Sequence, residues 1–133
     1  MGFWKFKDYV TEQHRSPLLE WYGTLEEGVQ AEFDLLLKNL DETEDWDEVK
    51  PRKRKYKELS RRHEGLCELL LKVGKRKFRP LGILRRETRE FIFLGGAEKI
   101  GQDATDPEGA FDEALRLKGK FEEGRGEVRD YYY

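Results

Sequence analysis

The chain has 133 residues, a formal net charge of −2 and a charged fraction of 41%. This length suits one domain, predicted over residues 1–133, and an aromatic content of 13% argues against a disordered chain. A single cysteine, Cys67, excludes an internal disulfide and a thiolate zinc cluster. Because we find neither an apolar signal region nor the ~18 to 20 apolar residues of a membrane span, we expect a cytoplasmic protein without membrane contact.

The net charge hides a strong partition along the chain. Residues 50–90 hold 16 Lys and Arg against 5 Asp and Glu, whereas the rest of the chain holds 10 against 23. A basic middle between acidic ends predicts one positive face, which suits a polyanion such as a nucleic acid. A solvated surface that is simply basic is the alternative interpretation.

The first part of the chain predicts a strand followed by two helices. Residues 3–10 alternate between mostly apolar positions and positions that mix lysine with aromatics, as a strand does. Ser16 and Pro17 are typical of a helix start. An apolar stripe at helical spacing then indicates a second helix, with Leu25, Val29, Phe33, Leu36, Leu37 and Leu40. These two segments predict a helical hairpin that covers a sheet.

Residues 65–99 predict the rest of the sheet. The runs 67–73, 77–84 and 89–95 are rich in Leu, Ile, Val and Phe, and short turns separate them. Such connections are typical of an antiparallel meander. After it come a polar, Gly-rich connection over residues 95–105 and an apolar-striped closing helix.

These elements predict an α+β fold, with an antiparallel sheet of about four strands, an N-terminal helical hairpin and a C-terminal helix. The tail, residues 124–133, is expected either to add a short strand or to be disordered.

The candidate site is a cationic face made of strand and loop residues. Its members are Lys72, Lys75, Arg76, Arg79, Arg85, Lys99 and the basic run 52–62. His14 and His63 lack the paired spacing of metal ligands, so we expect no metal and no cofactor. Lysine and arginine neutralise phosphates, and Tyr56 inside the run can stack on a base, so this face can bind RNA.

Such a face can also cleave RNA without a metal ion. The substrate's own 2′-hydroxyl attacks the adjacent phosphorus, and an arginine stabilises the extra phosphoryl charge. A lysine among other cations has a lowered pKa and can exchange protons near neutral pH. A basic sheet is nevertheless more often a binding surface than a catalyst.

Short motifs along the chain occur in the order of a known family. The residues that lead into the family's second strand resemble Lys57-Glu58-Leu59, followed by Gly65-Leu66 and Glu68-Leu69. Arg79 resembles the arginine of its third strand, and residues 91–94 with Glu98-Lys99 resemble its fourth strand and the end of that strand. With Ser16-Pro17, Trp21 and Leu25 before them and Ala110 and Ala114 after them, the chain resembles the RelE/ParE superfamily of bacterial toxins. The resemblance is closest to the phage-derived HigB-like branch.

The resemblance implies a RelE-like fold and a toxin of a type II toxin–antitoxin system. Such a toxin is a ribosome-dependent endonuclease that cleaves mRNA without metal, and a helix-turn-helix antitoxin restrains it. Arg79 would stabilise the phosphoryl charge, while Lys99 and Lys75 would transfer protons or bind phosphate. The residues expected to hold RNA are Arg76, Lys55, Lys57, Arg61, Arg62 and Arg85.

Other functions stay open at this point. A ParE-like gyrase inhibitor would share the resemblance but act by binding a protein. A non-catalytic phage or mobile-element protein would bind nucleic acid or a partner through the same face. The departures from the family pattern favour this second alternative, since Leu70 and Ile100 stand where arginine and lysine are usual, and Ala97 replaces a phenylalanine. A domain that self-associates through its charge partition is the third alternative.

Overall fold

The computed structural model describes residues 2–47, 53–102 and 104–133, so Arg52 of the predicted basic run lies outside the described residues. The described residues form three α-helices, α1 (Pro17–Tyr22), α2 (Glu27–Asp41) and α3 (Ala110–Glu122). The strands are β1 (Lys5–Val10), β2 (Tyr56–Glu58), β3 (Cys67–Leu69), β4 (Leu71–Val73), β5 (Arg76–Arg85), β6 (Glu90–Lys99), β7 (Thr105–Asp106) and β8 (Glu127–Asp130).

All eight strands belong to one mixed sheet. The main order is β2-β3-β5-β6-β1-β8, with β4 added to β5 and β7 added to β6. β1 runs parallel to β6, with Phe6 opposite Phe91, and the other pairs are antiparallel. The two longest strands, β5 and β6, have ten residues each and form the centre of the sheet.

The predicted antiparallel sheet of about four strands is therefore wrong. The strands β2 and β7, which were not predicted, have three and two residues, and the run 67–73 divides at Leu70 into β3 and β4. The tail adds β8, a strand of four residues, which is one of the two outcomes expected for it. β6 continues through Gly95 to Lys99, where we expected a polar connection. The prediction of an N-terminal helical hairpin is wrong as well, because α1 has only six residues, fewer than two turns.

Each face of the sheet has its own apolar core. On the α1–α2 face, the core includes Phe6, Phe33, Phe78, Phe91 and Phe93. On the α3 face, it includes Leu81, Ile92, Leu94, Ala114 and Leu117. Because successive residues of a strand point to opposite faces, β5 contributes Phe78 to the first core and Leu81 to the second. The same alternation decides where the charged residues of β5 lie.

Local sequence signals account for the two N-terminal helices. The hydroxyl of Ser16 accepts a hydrogen bond from the backbone N–H of Leu19, and Pro17 occupies the first turn of α1. Of the predicted apolar stripe, the five residues from Val29 to Leu40 lie on α2 and are buried, whereas Leu25 precedes the helix and is partly buried. At the other end of the chain, the tail forms β8 beside β1, and Tyr131 packs on Phe93. Among the described residues, no helix is both long enough and apolar enough to cross a membrane.

Candidate nucleic-acid interface

Three lysines lie side by side at one end of the α3 face. Lys72 of β4 lies opposite Lys77 of β5, and Lys77 lies opposite Lys99 of β6. We call these three residues the lysine row. Neighbouring strands are about 4.8 Å apart and directly opposite residues point to the same face, so the ammonium groups repel one another. Within the described chain, the lysines that form ion pairs are Lys7 and Lys118, and the lysine row has no ion-pair partner.

Beside the lysine row, Arg79 and Glu68 are buried together. Nε of Arg79 lies 3.6 Å from Oε2 of Glu68, and the two side chains are 12% and 8% exposed. Nη1 of Arg79 donates to the carbonyl of Phe78 at 3.1 Å, whereas Nε has no hydrogen-bond acceptor in the described part of the chain. Burial raises the pKa of Glu68, although the charges of Arg79, Lys57 and Lys99 oppose this rise. The guanidinium therefore keeps an unused donor.

More lysines border this pair. Lys57 of β2 lies directly opposite Glu68 of β3. Lys75 lies in the turn between β4 and β5, and it lines a shallow depression of about 420 Å³ together with Lys77 and Lys99. We use the name cationic site for the set Lys57, Glu68, Lys72, Lys75, Lys77, Arg79 and Lys99. The structure thus brings together all three predicted catalytic residues, Arg79, Lys99 and Lys75, and the predicted RNA-binding residue Lys57. Lys55 lies nearby, since its carbonyl accepts from the N–H of Leu70.

Arg76, by contrast, lies on the α1–α2 face. Its Nε donates to Glu98 at 2.8 Å, its Nη1 donates to Glu26 at 2.9 Å, and its guanidinium lies 5.0 Å from the centre of the Phe78 ring. These hydrogen bonds to Glu98 and Glu26 raise the pKa of Arg76. Two carboxylates already satisfy this arginine, and the structure does not bring it to the cationic site.

The other predicted RNA-binding arginines have separate surroundings. Arg62 donates to both carboxylate oxygens of Asp112 at 2.7 Å, which joins the short 3₁₀ turn Arg61–His63 to α3 and lowers the pKa of Asp112. Arg61 is exposed in the same turn. Arg85 lies at the far end of β5, with its guanidinium 5.8 Å from the centre of the Phe121 ring. None of these three residues belongs to the cationic site.

The sequence analysis missed Glu68 as a member of the site. Only part of the signal was present in the sequence, since alternation with the apolar Cys67, Leu69 and Leu71 places Glu68 on the opposite face of the strand but does not show that this face is buried. A buried acid in a basic segment indicates a pairing with a nearby cation. Which cation it meets depends on the pairing of β3 with β5, and that pairing is a long-range contact.

No group of three or more His, Cys, Asp or Glu side chains is arranged to hold a metal ion in the part of the chain that is described. Comparisons with family models, with curated proteins and with solved structures find no match. The geometry of the cationic site is therefore the basis on which a function is assigned.

Proposed function

We propose that the protein binds single-stranded RNA at the cationic site and cleaves it without a metal ion. In the most specific form of this proposal, the protein is the toxin of a type II toxin–antitoxin system, its substrate is mRNA on the ribosome, and a helix-turn-helix antitoxin restrains it. The observation that carries the RNA part is the lysine row, three adjacent like charges without ion-pair partners in the described residues.

The lysine row is costly for folding unless an anion is present. Like charges directly opposite each other in a sheet are destabilising, by roughly 0.2–1 kcal/mol for each pair. Phosphates of a bound strand would reverse the sign of this energy, because each contact replaces a repulsion by an attraction and releases counterions. A binding role for a polyanion therefore explains an arrangement that packing alone does not.

Arg79 and Glu68 supply groups that suit RNA cleavage. In this reaction the 2′-oxygen forms a bond to phosphorus while the bond from phosphorus to the 5′-oxygen breaks. Glu68, whose pKa burial raises, can accept the 2′-proton, and Arg79 can direct its unused Nε donor to the phosphoryl oxygens. Lys99 or Lys75 would donate the proton that the leaving 5′-oxygen requires.

Binding without cleavage is the second candidate, and two observations favour it. The side chains of Glu68 and Arg79 are almost closed to solvent, so a substrate must displace them before either can react. Ile100, which stands where the resembled family has a lysine, is 62% exposed at the edge of the depression and offers no charge.

Expression of the protein in growing bacteria, with mapping of transcript 5′ ends, tests the proposal. The wild type should arrest growth and produce new 5′ ends, and the double variant Arg79→Ala/Lys99→Ala should do neither. Arg76→Ala/Arg86→Ala, which removes the same number of charges outside the cationic site, is the matched control and should behave as the wild type. Circular dichroism of the purified variants checks that they fold.

Three outcomes would contradict a part of the proposal. Growth arrest that persists in the double variant would contradict the roles assigned to Arg79 and Lys99. Arrest with induction of the DNA-damage response but intact transcripts would indicate a gyrase inhibitor. Absence of arrest combined with salt-sensitive RNA binding would indicate the non-catalytic candidate.

A further inference from the structure

Strand β6 has an open edge on the side opposite β5. β1 pairs with β6 only as far as Asp8 opposite Phe93, and β7 pairs with β6 only at Glu98 and Lys99. Between these two contacts, residues 94–97 have no strand partner on this side among the described residues. At about 3.3 Å for each residue, the open edge is roughly 13 Å long, enough for a short extended segment.

Leu94, Gly95 and Gly96 of the open edge form the floor of a groove of about 900 Å³. Pro17 and Trp21 of α1 line one wall, and Ala114 and Leu117 of α3 line the other. A Cβ atom at Gly96 would lie 2.1 Å from the ring of Trp21, so glycine at this position allows α1 to pack directly on the strand. Both walls of the groove are therefore apolar, but their side chains already pack in the two cores and expose little surface, with Trp21 7%, Ala114 2% and Leu117 2% exposed.

The rim of the groove is acidic. Six carboxylates line it against three guanidinium groups. The acids are Glu20, Glu26, Glu98, Asp106, Glu108 and Glu113, and the bases are Arg15, Arg76 and Arg116. Each arginine is paired with an acid of the rim, for example Arg15 with Glu20 and Arg116 with Glu113. Asp106 and Glu108 are exposed and form no ion pair within the described residues.

We infer that this groove binds an extended peptide segment of a protein partner, which adds a strand to the open edge of β6. Side chains of an added strand point alternately to the two walls, and because both walls are apolar and expose little surface, its central residues are small and apolar. The acidic rim favours Lys or Arg in the peptide on either side of these central residues. The same rim repels phosphates, so a nucleic acid is not its occupant. This site is separate from the cationic site.

A fluorescein-labelled peptide, Lys-Lys-Val-Ala-Val-Ala-Lys-Lys, tests the inference by fluorescence anisotropy with the full chain. A matched peptide carries Glu in place of each Lys, and a third carries N-methyl groups on all four central residues, so that neither of its edges can pair as a strand. We expect the basic peptide to bind at least tenfold more tightly than either of the others. Equal binding by the basic and acidic peptides would overturn the charge argument, and equal binding by the N-methylated peptide would overturn strand addition.

Two further readouts locate the peptide. Glu108→Lys should weaken binding about tenfold, whereas Glu32→Lys, which makes the same charge change on the exposed side of α2, should change it less than twofold. Hydrogen exchange at residues 94–97 should slow when the basic peptide binds. An unchanged affinity of Glu108→Lys, or protection found elsewhere, would overturn the assignment to this groove.

Discussion

Two sets of basic side chains lie on opposite faces of β5, and they differ in their surroundings. On the α3 face, Lys77 lies between Lys72 and Lys99, and no ion-pair partner lies within the described residues. On the α1–α2 face, Arg76 is held by Glu98 and Glu26. The first arrangement leaves positive charge available to an outside anion, whereas the second uses it to join strands to a helix.

The comparison extends to Arg86, which follows β5. It forms ion pairs with Asp47 at 3.1 Å and with Glu58 at 2.8 Å, and it donates to the hydroxyl of Tyr56. Arg86 therefore connects the end of β5 to β2 and to Asp47. A basic segment is thus a poor guide to a binding site until the acids around each cation are known.

The largest expected effect concerns the buried pair. Glu68→Ala should lower the free energy of unfolding by about 3 kcal/mol, because it leaves the Arg79 guanidinium buried without a counter-charge. Glu98→Ala removes the partner of the exposed Arg76 and should change the free energy of unfolding by less than about 1 kcal/mol. Urea denaturation measures both. The double variant Glu68→Leu/Arg79→Met should recover most of the loss, and equal losses at Glu68 and Glu98 would contradict the distinction between the two faces.

The second prediction compares RNA affinity. Lys72→Ala/Lys99→Ala should weaken binding of a labelled 12-nucleotide single-stranded RNA about 30-fold, and lower the slope of log affinity against log salt by about 1.4. Arg76→Ala/Arg86→Ala removes the same number of charges, so it controls for net charge, and it should change affinity less than threefold. If both double variants lose affinity equally, RNA binding follows net charge and not the lysine row.

The third prediction concerns the stability of the lysine row. Lys77→Gln should raise the free energy of unfolding by about 0.5 kcal/mol at low salt, because it removes the central charge from two repelling pairs. At 1 M salt the gain should largely disappear, since screening already weakens the repulsion. A variant that is less stable than the wild type at low salt would mean that Lys77 has a stabilising partner.

Local patterns predicted the elements that depend on neighbouring residues. The stripe of α2 and the Ser16 cap follow from helical spacing and backbone geometry, so both were visible in the sequence. Strands β2, β7 and β8 are too short for a periodic signal and are fixed by pairing with distant strands. The parallel contact of β1 with β6 is equally non-local, which is why the predicted topology failed.

The candidate site was predictable in part for the same reason. Arg76 and Arg79 are three residues apart in one strand, so alternation alone assigns them to opposite faces. Alternation does not tell which face the acids cover. The row of Lys72, Lys77 and Lys99 depends on the register of three strands, and the sequence does not fix that register.

The smallest expected effect is a difference in pH dependence between the two faces. Folding raises the pKa of Glu68 above its ordinary value of 4.5, so the stability it contributes is greatest below that value and declines as pH rises through the folded pKa. Folding lowers the pKa of Glu98, chiefly through its hydrogen bond with Arg76, so its contribution is present above 4.5 and is lost as pH falls. The unfolding free energy of Glu68→Gln relative to wild type should therefore rise as pH increases above 4.5. That of Glu98→Gln should fall as pH rises towards 4.5 and should then stay level, because above this value Glu98 is ionised in both the folded and the unfolded state. Urea titrations at several pH values measure how the stability of each variant changes with pH. If both variants change in the same direction, burial does not control the pKa of Glu68 in the opposite sense to the control of Glu98 by the exposed Arg76.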